Sequence, residues 1–346
     1  MTNRFAQLLP LVASLVVSGC PETIPPDLAH DADADVDAGS KGWSVSVEHL
    51  DGALLSAWGT SPTNVYAVGG PRGNAGLKTL VMHFDGTAWS RIGVAGTETF
   101  WWLHGTSATD MWMVGENGRI AHFDGTKLTD VPSGTTATIF GVWAASKSDA
   151  WAVGGSPGLG AAAPQDVLLH FDGQAWTPSP LPQTFGRTYF KVWGTSSENL
   201  YVVGEAGTIW HRVGATWKLE SDPPLAHGTL LTVTGCSATE VYAVGGRDVL
   251  RSDGTTWTAV NVALTNDING VSCNAPGDVV IVGSGGAKQR LVDGKWQDDF
   301  GTKPFSDLHG AWADGAGTFW AVGGNFVGPP GDAGASREGV IGRYVR

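Results

Sequence analysis

LLSAWGTSPTNVYAVGG, beginning at Leu54, and FKVWGTSSENLYVVGEAG, beginning at Phe190, are two copies of one pattern. Self-comparison finds it seven times, each copy closing on a glycine (Gly69, Gly115, Gly154, Gly204, Gly245, Gly283, Gly323), 38–50 residues apart. A repeat of that length signals a solenoid or a propeller. Three residues before each glycine stands an aromatic residue or Val: Tyr66, Trp112, Trp151, Tyr201, Tyr242, Val280 and Trp320. Eight residues earlier again stand Trp58, His104, Trp143, Trp193, Thr234, Ser272 and Trp312. This inner frame keeps one length in all seven copies. Two strands joined by a tight turn account for that, because a single inserted residue would point every side chain to the wrong face. The turn itself carries pairs such as Thr63-Asn64, Thr109-Asp110, Ser148-Asp149 and Glu198-Asn199, polar groups that bond back to local backbone.

After the glycine comes a connection of variable length, then an alternating strand such as LVMHFDG, then Asp-Gly-x-x-Trp at Asp85–Trp89, Asp172–Trp176 and Asp253–Trp257. The Asp-Gly pair predicts a two-residue hairpin loop with both φ angles positive. Each unit is therefore a four-stranded antiparallel sheet of about 40 residues, the size of a propeller blade. The last unit stops at Arg346 after its third strand, while GWSVSV at 42–47 reads as an orphan fourth strand with Trp43 matching Trp89. Joining them predicts an all-β fold over residues 42–346, a seven-bladed β-propeller whose last blade is closed by the N-terminal strand. Closure removes the sheet edges that an open array would expose, at modest loop entropy.

Composition agrees. The 346 residues include 50 Gly and 16 Trp against four Met, with only 16% charged. Turn-forming glycine joined to β-favouring aromatics excludes a helical bundle or coiled coil. The net charge of −12 has the wrong sign for a nucleic-acid partner.

The W-G-T-S-x-x-[DN]-[VL]-[YW]-A-V-G run, the double glycines (Gly69-Gly70, Gly154-Gly155, Gly245-Gly246, Gly323-Gly324) and Asp-Gly-x-x-Trp resemble bacterial propeller repeats related to the kelch and BNR-like groups. Those groups include the repeats of the photosystem II assembly factor family. The resemblance implies a fold and says little about activity. Ser252-Asp253-Gly254 lacks the residue that a sialidase Asp-box places between Asp and Gly, so sialidase activity is not carried over.

Residues 1–20, MTNRFAQLLPLVASLVVSGC, form an export signal: one basic residue, an apolar run from Leu8 to Val17, then small residues. Val17-Ser18-Gly19-Cys20 resembles the bacterial lipobox, which implies cleavage before Cys20 and a lipid on its thiol. Pro21 rather than Asp follows, so the inner-membrane retention residue is absent and the outer membrane is the expected destination. Residues 21–41 carry six carboxylates against Lys41 and read as a disordered acidic tether. Asp31-x-Asp33-x-Asp35 echoes a calcium loop, but Val36 stands where the turn glycine belongs and no bidentate Glu follows.

No nucleophile elbow, zincin helix or phosphate loop is present, and no cofactor, metal or catalytic residue is expected. His83, His122, His170 and His211 recur at one third-strand position, which argues for a structural role. Cys236 and Cys273 sit at the inner turns of consecutive blades, either as a disulfide or as two buried thiols. Function is sought where copies differ. Long connections at 71–79, 156–166 and 325–338 crowd one face and supply Arg72, Asn74, Asp166 and Asn325 as candidate ligand-binding residues. Two residues before the frame position the copies read Ser56, Trp102, Gly141, Lys191, Thr232, Gly270 and Gly310; Trp102 and Lys191 break the run of small residues and are candidate channel liners. The expected function is a non-catalytic, membrane-anchored surface or periplasmic lipoprotein that binds or scaffolds a protein or glycan on the long-loop face. A polysaccharide- or peptide-processing enzyme with its site at the channel mouth and a pilus-associated adhesin-like protein are the alternatives.

Overall fold

Seven four-stranded antiparallel sheets form the blades of a β-propeller. The computed structural model describes residues 41–70, 79–159, 163–221, 225–325 and 338–346. Cys20, the export signal, the tether before Lys41, Arg72 and Asn74 lie outside the described residues. Blade one runs from its inner strand Ala53–Ser61 to its outer strand Trp89–Arg91, and blades two to six repeat that plan through Lys295–Asp298. Blade seven takes its first three strands from the C-terminal end (Leu308–Ala313, Phe319–Gly324, Glu338–Val345) and its outer strand, Gly42–Asp51, from the N-terminal side. Trp43 faces Tyr344 and Gly42 faces Val345 in that closing pair.

The frame owes its fixed length to register. Trp58 lies opposite Tyr66, His104 opposite Trp112, Trp143 opposite Trp151, Trp193 opposite Tyr201, Thr234 opposite Tyr242, Ser272 opposite Val280 and Trp312 opposite Trp320. A further rule links neighbouring blades. The residue after the frame position is Gly where the preceding blade carries a frame Trp: Gly59 after Trp312, Gly105 after Trp58, Gly194 after Trp143 and Gly235 after Trp193. A Cβ at Gly59 would stand 2.9 Å from the ring edge of Trp312, and one at Gly235 would run into the ring of Trp193. Where the preceding frame residue is His104 or Ser272 the slot holds Ala144 or Ala313, whose backbone N–H donates to His104 Nδ1 (3.1 Å) or Ser272 Oγ (3.0 Å). After Thr234 the slot holds Cys273, bonded to Cys236 with the Cα atoms 5.6 Å apart. Indole, hydrogen bond and disulfide are three solutions to one inter-blade joint.

The outer hairpins differ from the two-residue expectation in four blades. In blades one, two, three and five, Asp-Gly opens a four-residue loop in which only the glycine has positive φ (Gly86 at 98°, for example). The Asp carboxylate closes the loop: Asp85 Oδ1 accepts from the Thr87 and Ala88 N–H groups at 2.8 and 2.9 Å. The hydroxyl of the loop threonine (Thr87, Thr126 or Thr255) donates to the same carboxylate, and together with the backbone N–H groups it holds Asp85, Asp124 and Asp253 at a pKa of about 2. The two-residue form occurs in blade six, where Asp293 (φ 51°) and Gly294 (φ 73°) connect the strands directly.

The recurrent histidines bond within their blades. His83, His122, His170 and His211 each place Nε2 2.7–2.9 Å from Asn64, Asp110, Asp149 and Asn199 respectively. The same register position holds Arg251, Arg290 and Arg343 in the other three blades, opposite Tyr242, Val280 and Trp320. Seven basic side chains therefore flank the second strands, several stacked on aromatic rings such as Tyr201 under His211 (4.0 Å). The histidine half of this set is visible in the repeat; the arginine half is a substitution that keeps the donor and loses the letter.

Candidate functional site

Strand polarity gives the ring two unlike faces. The turn face carries the inner hairpins and the Asp-Gly loops, all short. The loop face carries the second-to-third-strand connections and the crossings between blades. Gly42 enters on the turn face, paired with Val345. Five large apolar side chains are strongly exposed among the described residues, and four of them, Leu159, Leu225, Phe300 and Phe305, lie in loop-face segments; Val213 alone is on the turn face.

Residues at or just before the start of three third strands organise this face. Asp166, with φ at 53°, accepts from the backbone N–H groups of Phe185 and Gly186 (2.6 Å to the latter) and from Tyr189 Oη at 2.9 Å. Its carboxylate is thus engaged in tying the blade-three loop to the crossing into blade four. Asp248, at the start of its own third strand, does the same in blade five through the His227 and Gly228 N–H groups. Lys288, fully buried, donates to the carbonyls of Gly286, Thr302 and Pro304 at 2.8–2.9 Å and holds the crossing that displays Phe300 and Phe305. Asn325 is exposed where the second strand of blade seven ends. Of these organisers only Asp166 falls in a long connection; Lys288 follows a three-residue connection like those of blades two and four, where Ile120 and Ile209 stand at its position.

Trp102 and Lys191 meet across Gly141. Lys191 Nζ donates to the Phe140 carbonyl at 2.8 Å and sits 4.2 Å from the centre of the Trp102 ring. A Cβ at Gly141 would stand 2.9 Å from Lys191 Cα, so the intervening blade must lack a side chain there. Each inner strand bulges one residue earlier in blades two to four, and there the rings of Trp101, Phe140 and Phe190 pack in sequence, edge-on and then tilted, with centroids 4.9 and 5.0 Å apart. Burial without an ion-pair partner among the described residues pushes the Lys191 ammonium down to about 7.

An open groove of about 1100 Å³ lies over the three-residue connection Glu116–Gly118 of blade two. Its walls come from the crossings on either side of that blade, with Pro164 contributed by the long loop of blade three. Arg119 pins the walls together, donating to Asp130 Oδ1 and the Ala95 carbonyl at 2.9 Å and to Glu98 Oε2 at 3.4 Å.

No family model matches the chain, and no curated protein matches it. Solved structures do. YCF48 bound to a D1 peptide superposes with a TM-score of 0.66 at 15% identity, over 89% of this chain and 98% of that one. YCF48 from Cyanidioschyzon merolae gives 0.65 at 13%, over 88% and 98%. A streptogramin B lyase gives 0.67 at 13%, over 87% and 97%. At these identities the likeness is one of fold, shared by a peptide-bound protein and a lyase alike.

Proposed function

We propose that this chain is a binding scaffold whose loop face captures a protein partner. The observation that carries this reading is the placement of exposed apolar surface. Single exposed apolar residues are ordinary, but here four of five share the face that also bears the three long connections. A propeller of the same fold is described as bound to a peptide, which supports the reading by analogy. We further propose that Cys20 carries a lipid and that residues 21–41 tether the ring to the outer membrane of a bacterial envelope. Gly42 enters on the turn face, so a tethered ring would present its loop face away from the lipid.

The test is site-specific photo-cross-linking in cells that make the full chain. Cross-linkers at Leu159 and Phe305 should capture one partner, and a cross-linker at the exposed Val213 should not. Equal capture from Val213 would remove the loop face from the proposal. For the anchor, Cys20→Ser should abolish fatty-acid labelling.

A further inference from the structure

We infer that the groove over blade two takes an extended cationic segment of the partner protein, one that alternates lysine or arginine with apolar residues. This rests on the loop-face reading above and adds the chemistry of what is bound there.

The groove exists because of loop length. Blade two joins its second and third strands with Glu116–Gly118, whereas the connections of blades one and three span residues 71–79 and 156–166. The groove lies over the shortest of these three connections. Its floor cannot fill, since a Cβ at Gly118 would run into the Thr135 carbonyl. Val131, Pro132 and Pro164 give it apolar surface suited to a side chain packed edge-on.

Charge then selects the occupant. Glu98, Glu116 and Asp130 line the groove against one cation, Arg119. The Arg119 side chain is 12% exposed and already donates to Glu98, Asp130 and Ala95, so it offers an anion little. Asp130, by contrast, is 64% exposed. Glu116 uses Oε2 on the Thr99 N–H at 2.8 Å, with Oε1 in no bond among the described residues. Three carboxylates against one guanidinium leave the apolar cleft with an excess of two negative charges, on a protein of net charge −12 that draws cations toward itself. The groove is open and exceeds the usual size of a small-molecule pocket, about 300–1,000 Å³, which favours a length of chain over a compact ligand.

The probe is a fluorescent nonapeptide of alternating lysine and valine, read by anisotropy against its glutamate–valine counterpart on the full chain. The lysine peptide should bind, more weakly as salt rises, and the glutamate peptide should not. Thr136→Lys adds a cation at an exposed lining position without touching the Arg119 bonds and should weaken binding at least tenfold. Glu98→Gln with Asp130→Asn should do the same. Indifference to peptide charge, no binding of either peptide, or full binding by Thr136→Lys would each overturn the inference. If the lysine peptide fails while Leu159 and Phe305 still cross-link the partner, the groove is wrong and the face stands. If those cross-links are also lost, both fall.

Discussion

Lys191 is the residue whose replacement should make this protein more stable, and by an amount that depends on pH. The folded chain lowers its pKa from 10.5 to about 7 through burial. A base depressed in the folded state binds fewer protons there than in the unfolded chain across the window between those values, so stability rises with pH through it. Below about pH 7 both states are protonated and the whole penalty stands. At about 1.4 kcal/mol for each tenfold step, that penalty is about 4–5 kcal/mol at pH 6 and about 2 kcal/mol at pH 9. Lys191→Met keeps the length and fills the same gap without a charge. It leaves the Phe140 carbonyl without its donor, an offset of about 1–3 kcal/mol that does not vary with pH. Urea unfolding of both proteins from pH 6 to 9 isolates the titrating part, because Tyr189, Tyr201, Tyr242 and Lys288 titrate alike in each. The advantage of Lys191→Met should shrink by about 2–3 kcal/mol across that range. A difference independent of pH would show that Lys191 reaches solvent through the channel and does not seal it.

The other joints make equally direct predictions. Gly235→Ala should cost about 1–3 kcal/mol by overpacking Trp193, and a Trp193→Leu background should recover much of it in a double-mutant cycle; additive losses would refute the inter-blade rule. Cys273→Ala should lower stability by about 3–4 kcal/mol, the loop entropy of a bridge closing 37 residues, with no change when wild type is first reduced. Deleting residues 42–48 removes the outer strand of blade seven and should cost more than truncating a core Trp, about 3–5 kcal/mol, whereas deleting 21–38 should leave Tm unchanged. Equal effects of the two deletions would mean that the N-terminal strand does not close the ring.

The fold was legible because a propeller repeats its physics as well as its letters. Register demands that Trp58 and Tyr66 stay eight residues apart, and the same demand in seven blades makes the spacing visible without any relative to compare. Ring closure had a second signature that spacing alone does not expose: a side chain at Gly59 is excluded by the Asn64 carbonyl of its own blade and also by Trp312, 253 residues later, which lies against it. The hairpin reading failed where one motif serves two geometries. Asp85-Gly86 and Asp293-Gly294 share a dipeptide, yet the Thr87 and Ala88 N–H groups capture the first carboxylate and lengthen the loop.

Sites are harder to read because a repeat hides what it does not vary. Trp102 and Lys191 departed from five small neighbours and were noticed, and the structure brings them into contact. Asp248 follows a connection of only two residues, Gly246-Arg247, which puts it out of line with its counterparts, whereas Arg119 and Lys288 follow three-residue connections of equal length in blades two, four and six and replace the Thr208 and Ile209 of blade four. The groove itself is the strongest case. From closing glycine to turn Asp, blade two needs 9 residues where its neighbours need 16 and 18, a contrast plain in the sequence. Long loops add residues, whereas this cleft lies over a connection that omits them, and its charge comes from Glu98 on a crossing, Glu116 on that short connection and Asp130 on the outer strand.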